Sequence, residues 1–128
     1  MTVDEIRLTL PRERPYHRIA HLVLGGLAVR LDLTFDVLED LQVALGELLE
    51  RYEGEADLQL VLRVLPDAIE ARVGPFDGEL LRGELDRDEA VGLRRVLDTV
   101  VDDVRIEEQD GAHWVEFRKA VMSVRSMS

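Results

Sequence analysis

The sequence predicts an α/β (α+β) fold, a two-layer sandwich in which helices cover one face of a mixed, mostly antiparallel sheet. The 128 residues and the 46% hydrophobic content suit one domain with one core. Segments of two-residue alternation and segments of helical spacing follow one another in the order β-α-α-β-β-α-β-β. The two pairs of consecutive strands favour antiparallel hairpins. We therefore expect a single domain over residues 1–128, with its core over about 6–119 and a fraying tail at 120–128.

The first half of the chain predicts one strand and two helices. Ile6–Leu10 alternates apolar and polar residues, as a half-buried strand does. A first helix is expected from about Pro15 to Leu31. Its apolar positions are Ile19, Leu22, Val23, Leu27 and Leu31. Thr34 is a suitable N-cap for a second helix from Phe35 to about Tyr52.

The second half predicts a hairpin, a helix and a second hairpin. Leu58–Leu65 and Ala68–Val73 alternate on either side of Pro66-Asp67 and read as paired strands. A third helix is expected from Asp86 to about Asp103, after a glycine-spaced connection at 74–88. The final hairpin has strands at 104–107 and 113–119, which flank an Asp-Gly turn.

Composition excludes several classes of function. There are no cysteines, so disulfides and thiolate metal sites are excluded, and no signal peptide or apolar membrane segment is found. The formal net charge of −11 repels nucleic-acid backbones and anionic lipid. We therefore expect a cytoplasmic protein that binds neither nucleic acid nor membrane.

No catalytic or metal motif from the common enzyme classes appears. His17 and His21 are four residues apart, but no third ligand accompanies them or His113, so no metal site is expected. Trp114 alternates with apolar residues on its strand and is interpreted as a packing residue or an interface residue. An acidic cluster is interpreted as solvated surface or as the receptor of a basic helix. It consists of Asp98, Asp102, Asp103, Glu107, Glu108 and Asp110.

Several strings, taken in order, resemble a known family. They are Leu8-Thr9-Leu10-Pro11, Tyr16-His17-Arg18-Ile19, Leu31-Asp32-Leu33, the run from Phe35 to Leu41, Val43-Ala44-Leu45-Gly46-Glu47-Leu48-Leu49, Gly92 to Leu97, and Asp110 to Lys119. Together they resemble the anti-sigma factors with serine-protein kinase activity, which share the histidine-kinase-like ATP-binding (GHKL, Bergerat) fold. The resemblance covers about residues 6–119. It implies ATP and magnesium as the ligands of the family.

The first nucleotide motif of that family is only half kept. The resemblance implies a glutamate that serves as general base and, one turn later, an asparagine that coordinates magnesium. Glu47 stands at the glutamate position and Arg51 at the asparagine position. A guanidinium has only donors and cannot ligate a cation, although it can meet a phosphate directly. An ion pair between Glu47 and Arg51 is the simpler expectation.

The other two nucleotide motifs are also eroded. The family's Asp-x-Gly-x-Gly turn, whose aspartate accepts a hydrogen bond from adenine, corresponds to the string from Arg72 to Phe76. Gly74 matches its first glycine, but Arg72 replaces the aspartate and cannot accept the adenine proton. The glycine-rich run that cradles phosphate is reduced to Gly92. We therefore expect no bound cofactor, and a catalytic role for Glu47 only if the protein is a kinase.

The resemblance also implies partners. Arg18, at the start of the first helix, matches an arginine with which family members hold their protein partners. The first hypothesis is thus a regulatory protein that binds a sigma factor or an anti-sigma antagonist without kinase activity, as a homodimer. The alternatives are an ATP-binding serine-protein kinase that phosphorylates an antagonist, and a non-catalytic oligomeric assembly module.

Overall fold

The computed structural model describes residues 4–11, 13–50, 57–76 and 93–121. Within these ranges the chain forms five strands, three α-helices and a 3₁₀ turn at Arg14–Tyr16. In chain order the elements are β1 (Asp4–Leu10), α1 (His17–Leu31), α2 (Phe35–Glu50), β2 (Leu58–Val64), β3 (Ala68–Phe76), α3 (Leu93–Val100), β4 (Asp103–Gln109) and β5 (Ala112–Ala120). This order confirms the one predicted from the sequence.

The strands form one sheet in the order β1-β2-β3-β5-β4. All four pairings between the described strands are antiparallel, so the sheet is simpler than the mixed one that the sequence suggested. The two hairpins β2-β3 and β4-β5 form as expected, and β1 adds to the outer edge of β2.

The two faces of the sheet differ sharply because side chains alternate along each strand. One face is apolar: Leu58, Leu60 and Leu62 of β2 are buried there. These residues form one core cluster with buried residues of α1, α2 and α3, so the three helices cover this face. The other face carries charged side chains and is not covered by any helix of the described chain. We call it the open face.

Helix α1 turns only part of the predicted side to the core: Leu27 is buried, and Val23 and Leu31 pack against the core cluster. Ile19 and Leu22 were expected on the apolar face, yet both are exposed. The buried positions of α1 are Ala20, Leu24, Leu27 and Ala28. The helix is apolar around most of its circumference, so spacing alone did not identify the side that faces the sheet.

Local signals for turns and caps are confirmed. The Thr34 hydroxyl accepts a hydrogen bond from the Val37 amide at 3.2 Å, as an N-cap of α2 should. Asp110 and Gly111 have φ values of 53° and 78°, which fit the two-residue turn predicted between β4 and β5.

Two element ends differ from the prediction by three residues. Helix α3 ends at Val100 rather than near Asp103, because Asp103 already pairs with Arg118 in the sheet and the Asp102 carboxylate accepts a hydrogen bond from the Ala120 amide. Strand β3 continues past Val73 to Phe76. A register shift between Val73 and Phe76 lets the strand accommodate a proline, which a regular ladder disfavours. The predicted start of the third helix, the 74–88 connection beyond Phe76, the end of the second helix near Tyr52 and most of the tail lie outside the described residues.

Candidate functional site

Glu47 lies in an open groove between α1 and α2. The groove has a volume of about 300 Å³. Its lining is His21, Gln42, Val43, Gly46, Glu47, Leu49 and Glu50. Glu47 is half-buried, on a stretch of α2 whose neighbours Leu45, Leu48 and Leu49 are buried in the core. The helical period therefore presents Glu47 and Glu50 at the rim of the groove while the leucines anchor the helix.

The groove depends on a close approach of the two helices at Gly46. A Cβ atom at position 46 would lie 3.5 Å from Cε1 of His21, so the imidazole rests against the glycine. Burial lowers the pKa of His21 from its ordinary value of 6.5. At neutral pH the imidazole is therefore mostly uncharged, and the described lining of the groove offers carboxylates, an amide and apolar side chains.

Arg72 and Gly74 lie on the open face, away from Glu47. The guanidinium carbon of Arg72 lies 4.4 Å from the centroid of the Trp114 ring. The Arg72 guanidinium also donates a hydrogen bond to the Gln109 side chain, and its Nε is 3.6 Å from a carboxylate oxygen of Glu116. Burial and the neighbouring Glu107 raise the pKa of Glu116.

Gly74 is buried beneath Trp114. A Cβ atom at this position would lie only 2.8 Å from two ring carbons of Trp114 and 3.1 Å from the carbonyl oxygen of His113. The tryptophan that the sequence marked as a packing or interface residue thus packs on the backbone of β3. The string from Arg72 to Phe76, which the resemblance placed in a turn after the strand, is part of the strand itself.

The structure therefore does not bring the described nucleotide-site residues together. Glu47 belongs to the helical side of the sheet, and Gly74 and Arg72 belong to the open face. Arg51 and Gly92, the other two predicted residues of that site, lie outside the described residues. Glu47 and the string that matches the adenine-binding turn therefore lie on opposite sides of the sheet.

A second candidate site is the outer surface of α1, where Arg18 is exposed at the start of the helix. The outer surface of α1 and the start of α2 carry large apolar side chains in contact with solvent. Leu22 is 68% exposed, Val29 80% and Phe35 74%. We call this the α1 surface; it also includes Tyr16 and Ile19. Sequence reasoning missed it because helical spacing assigns Ile19 and Leu22 to the core.

Neither a metal centre nor a membrane span is found in the part of the chain that the structure describes. Among those residues no group of three or more histidine, aspartate or glutamate side chains is arranged to hold a metal ion. None of the described helices is long and apolar enough to span a bilayer. In the acidic cluster, Asp103 pairs with Arg105 at 3.1 Å, so part of that cluster is engaged within the chain.

Comparison with known proteins gives one consistent result. A scan against protein-family models finds no match. The serine-protein kinase RsbW of Listeria monocytogenes (serovar 1/2a) is 28% identical over 129 aligned positions, which cover 84% of this chain and 82% of that protein. The RsbW of Bacillus velezensis is 41% identical over a shorter segment of 46 residues, 36% of this chain and 29% of that protein. This chain is thus similar to the RsbW proteins, at modest sequence identity over most of its length.

A solved structure agrees at the level of the fold. A crystal structure of the RsbU and RsbW domains of a Mycobacterium tuberculosis protein superimposes with a TM-score of 0.68 at 14% identity. The match covers 92% of this chain, which spans about a third (32%) of that longer chain. The resemblance inferred from the sequence strings is thus confirmed, and the RsbW-like fold carries the two surfaces described above.

Proposed function

We propose that this chain is a regulatory protein that binds a sigma factor or an anti-sigma antagonist through the α1 surface, without ATP-dependent kinase activity. The observation that carries the proposal is the α1 surface itself. Large apolar side chains exposed along the outer side of one helix are typical of a surface that a protein partner covers. Exposed Arg18 adds a charged group at its edge that can select the partner.

The proposal that the kinase reaction has been lost rests on the arginines. Arg51 stands where a magnesium ligand is expected, and a guanidinium cannot supply one. Arg72 stands where an adenine acceptor is expected, and its guanidinium is engaged with Trp114, Gln109 and Glu116 on the open face. Regulation of such a protein then occurs through competition between partners rather than through phosphorylation of one of them.

The kinase alternative has its own support. The relatives bear the name serine-protein kinase, and Glu47 stands at the position of the general base in a groove that is open to solvent. This alternative requires ATP and magnesium to bind by a route that does not use Arg72 and Gly74. We further propose a cytoplasmic location, which the absence of cysteines fits, and a homodimer, as the resemblance implies.

Partner binding is tested with the purified chain, a sigma factor and an anti-sigma antagonist from the same organism in a titration calorimeter. We expect at least one of the two to bind, with Leu22→Ser and Arg18→Ala each weakening the complex by about tenfold or more. The matched control is Ile106→Ser, which removes a 38% exposed apolar side chain from β4, away from the α1 surface. Unchanged binding by both α1 variants would overturn the proposed surface.

Nucleotide binding is tested by thermal unfolding with and without ATP and magnesium. A ligand at about a hundred times its dissociation constant adds roughly 2.7 kcal/mol to the free energy of unfolding, which is several degrees for a domain of this size. We expect no shift for this chain under conditions that stabilise the Listeria monocytogenes RsbW. A magnesium-dependent shift would instead favour the kinase alternative.

A further inference from the structure

The groove between α1 and α2 has one apolar wall, on α1. His21 lines the groove, and the helical period places Gly25 on the same side of the helix. Leu22 and Val29 follow at the outer edge of that side, where they are 68% and 80% exposed. We call Leu22, Gly25 and Val29 the apolar wall.

A notch interrupts the apolar wall at Gly25. A Cβ atom at position 25 would meet nothing within 4 Å, and the same holds at Gly26. Packing inside the described chain therefore requires neither glycine, although glycine destabilises a helix relative to alanine. The missing side chains leave a gap between Leu22 and Val29, through which the backbone of a partner can approach α1 closely.

The other wall of the groove, on α2, is acidic. Helical spacing places four residues of α2 along the groove side: Glu39, Val43, Gly46 and Glu50. We call them the acidic wall, and its two glutamates are exposed. Helix α2 contains five acidic residues and no lysine or arginine, and Lys119 of the sheet pairs with one of the five, Asp40. The acidic wall therefore presents negative charge to whatever enters the groove.

The chemistry of the walls favours a helix as the occupant. The backbones of α1 and α2 are hydrogen-bonded within their own helices, so neither wall offers an edge with which an extended segment could pair. Such a segment would bury unpaired backbone groups against Leu22 and Val29, which is costly. A helix satisfies its own backbone, and its side chains can pack into the groove between two neighbouring helices.

The charges specify the kind of helix. Apolar side chains suit the apolar wall, whereas lysine or arginine side chains suit the exposed Glu39 and Glu50. Opposite charges across an interface speed the encounter and help to select the partner. The formal charge of −11 on the whole chain also attracts a basic segment and repels an acidic one.

We infer that a basic amphipathic helix of the protein partner binds in the groove, with its apolar side on the apolar wall and its cationic side chains beside the acidic wall. The inference rests on the proposed function and deepens it, because it names the element of a sigma factor or antagonist that the α1 surface receives. The two walls then contribute separately. Apolar contacts set the dissociation rate, while the acidic wall sets the association rate and its dependence on salt.

The acidic wall is tested by the kinetics of binding to the sigma factor and the antagonist. The double variant Glu39→Lys with Glu50→Lys should associate about tenfold more slowly and with a weaker salt dependence. The matched control, Asp4→Lys with Glu108→Lys, makes the same change in net charge at two exposed carboxylates of β1 and β4. This control should associate nearly as fast as the wild type.

The notch is tested by filling it. Gly25→Gln should leave the fold intact, because the space around position 25 is open, and should weaken the complex by about tenfold or more through faster dissociation. Gly25→Ala is the conservative variant and should weaken the complex less than Gly25→Gln does. Thermal unfolding of both variants separates an effect on folding from an effect on binding.

The bound element is identified with overlapping peptides of about 20 residues that cover the partner sequence. A peptide that binds should be basic and amphipathic, and it should compete with the intact partner. Its helical circular dichroism signal should increase when it enters the groove.

The outcomes separate the inference from the proposed function. Slower association of the acidic-wall variant, faster dissociation of Gly25→Gln and binding of a basic helical peptide support the inference. If Leu22→Ser and Arg18→Ala weaken the complex but the acidic-wall variant and Gly25→Gln do not, the inference fails and the proposed surface stands. Binding of an acidic or extended peptide, or self-association of the chain that Gly25→Gln abolishes, also overturns the inference. If neither partner binds the wild type, the proposed function fails together with the inference.

Discussion

At the scale of single residues, the clearest constraint is the contact between Gly74 and Trp114. The indole ring occupies the space that a side chain at position 74 would need, with 2.8 Å to two ring carbons. We expect Gly74→Ala to displace the ring and destabilise the protein by about 1–3 kcal/mol, the usual cost of overpacking. Urea unfolding measures the loss, and the emission of Trp114 should change in the folded state.

A matched substitution checks this reasoning. Gly26 lies on the exposed side of α1, and a Cβ atom there meets nothing within 4 Å. Gly26→Ala should therefore stabilise the protein by about 0.5–1 kcal/mol, because alanine loses less backbone freedom in a helix. Equal destabilisation by both substitutions would show that helix and strand glycines respond for some reason other than the space around them.

The position of Arg72 could not be predicted, although its chemistry could. A guanidinium cannot accept a proton from adenine, and this follows from the residue type alone. The side of the sheet on which Arg72 lies cannot be predicted from the residue type, because Gly74-Pro75 indicates the end of the strand. A register shift in β3 tolerates the proline, so the strand continues and alternation puts Arg72 and Gly74 on the open face.

At the scale of elements, the packing of α1 on α2 contains a titratable group. His21 of α1 rests against Gly46 of α2, and burial lowers the pKa of His21 below 6.5. Below pH 6.5 the unfolded chain binds a proton at this histidine more readily than the folded chain does. The free energy of unfolding is therefore unaffected by this histidine well above pH 6.5, and it decreases as the pH falls from there through the lowered pKa of the folded state.

We expect His21→Gln to remove this part of the pH dependence. The difference in free energy of unfolding between wild type and variant should shrink as the pH falls from about 7.5 to about 5, measured by urea unfolding across the range. His113→Gln is the control, since that histidine lies on β5, 3.7 Å from Glu108 and away from the contact between α1 and α2. This variant should keep the pH dependence that comes from His21. A difference for His21→Gln that stays constant with pH would contradict the lowered pKa.

The presence and order of the elements were predictable, and some of their details were not. Every described strand and helix was expected, because alternation, helical spacing, the Thr34 cap and the Asp-Gly turn are local signals. The buried side of α1 was only partly predictable from spacing, since the exposed Ile19 and Leu22 are as apolar as the residues that face the sheet. Which apolar side is buried is decided by the sheet, through contacts distant in sequence.

At the scale of the whole molecule, the described residues form one layer of helices on one side of a five-stranded sheet. The charged open face belongs to this scale, because only the strand register places Glu5, Arg63 and Glu70 side by side. The fold class followed from the sequence, whereas the open face could not be inferred from it. A hydrogen bond between residues distant in sequence also joins the two layers: Lys119 of β5 donates to the Asp40 carboxylate of α2 at 2.8 Å.

The arrangement predicts cooperative unfolding across the sheet. Helix and strand residues share one buried cluster, so the helical layer cannot separate from the sheet without exposing the core on both sides. Trp114, the only tryptophan, reports on the open face, while far-ultraviolet circular dichroism reports mainly on the helices. In dilute solution both signals should follow one urea transition.

A core substitution sharpens this test. Leu45 of α2 is fully buried on the helical side, and Leu45→Ala should cost about 2–5 kcal/mol through lost contacts and a residual cavity. Because the core is shared, the substitution should shift the Trp114 transition on the opposite side of the sheet as much as the helical one. If the helical signal moved to lower urea while the tryptophan signal stayed in place, the two layers would be independent units and the single cluster would not control stability.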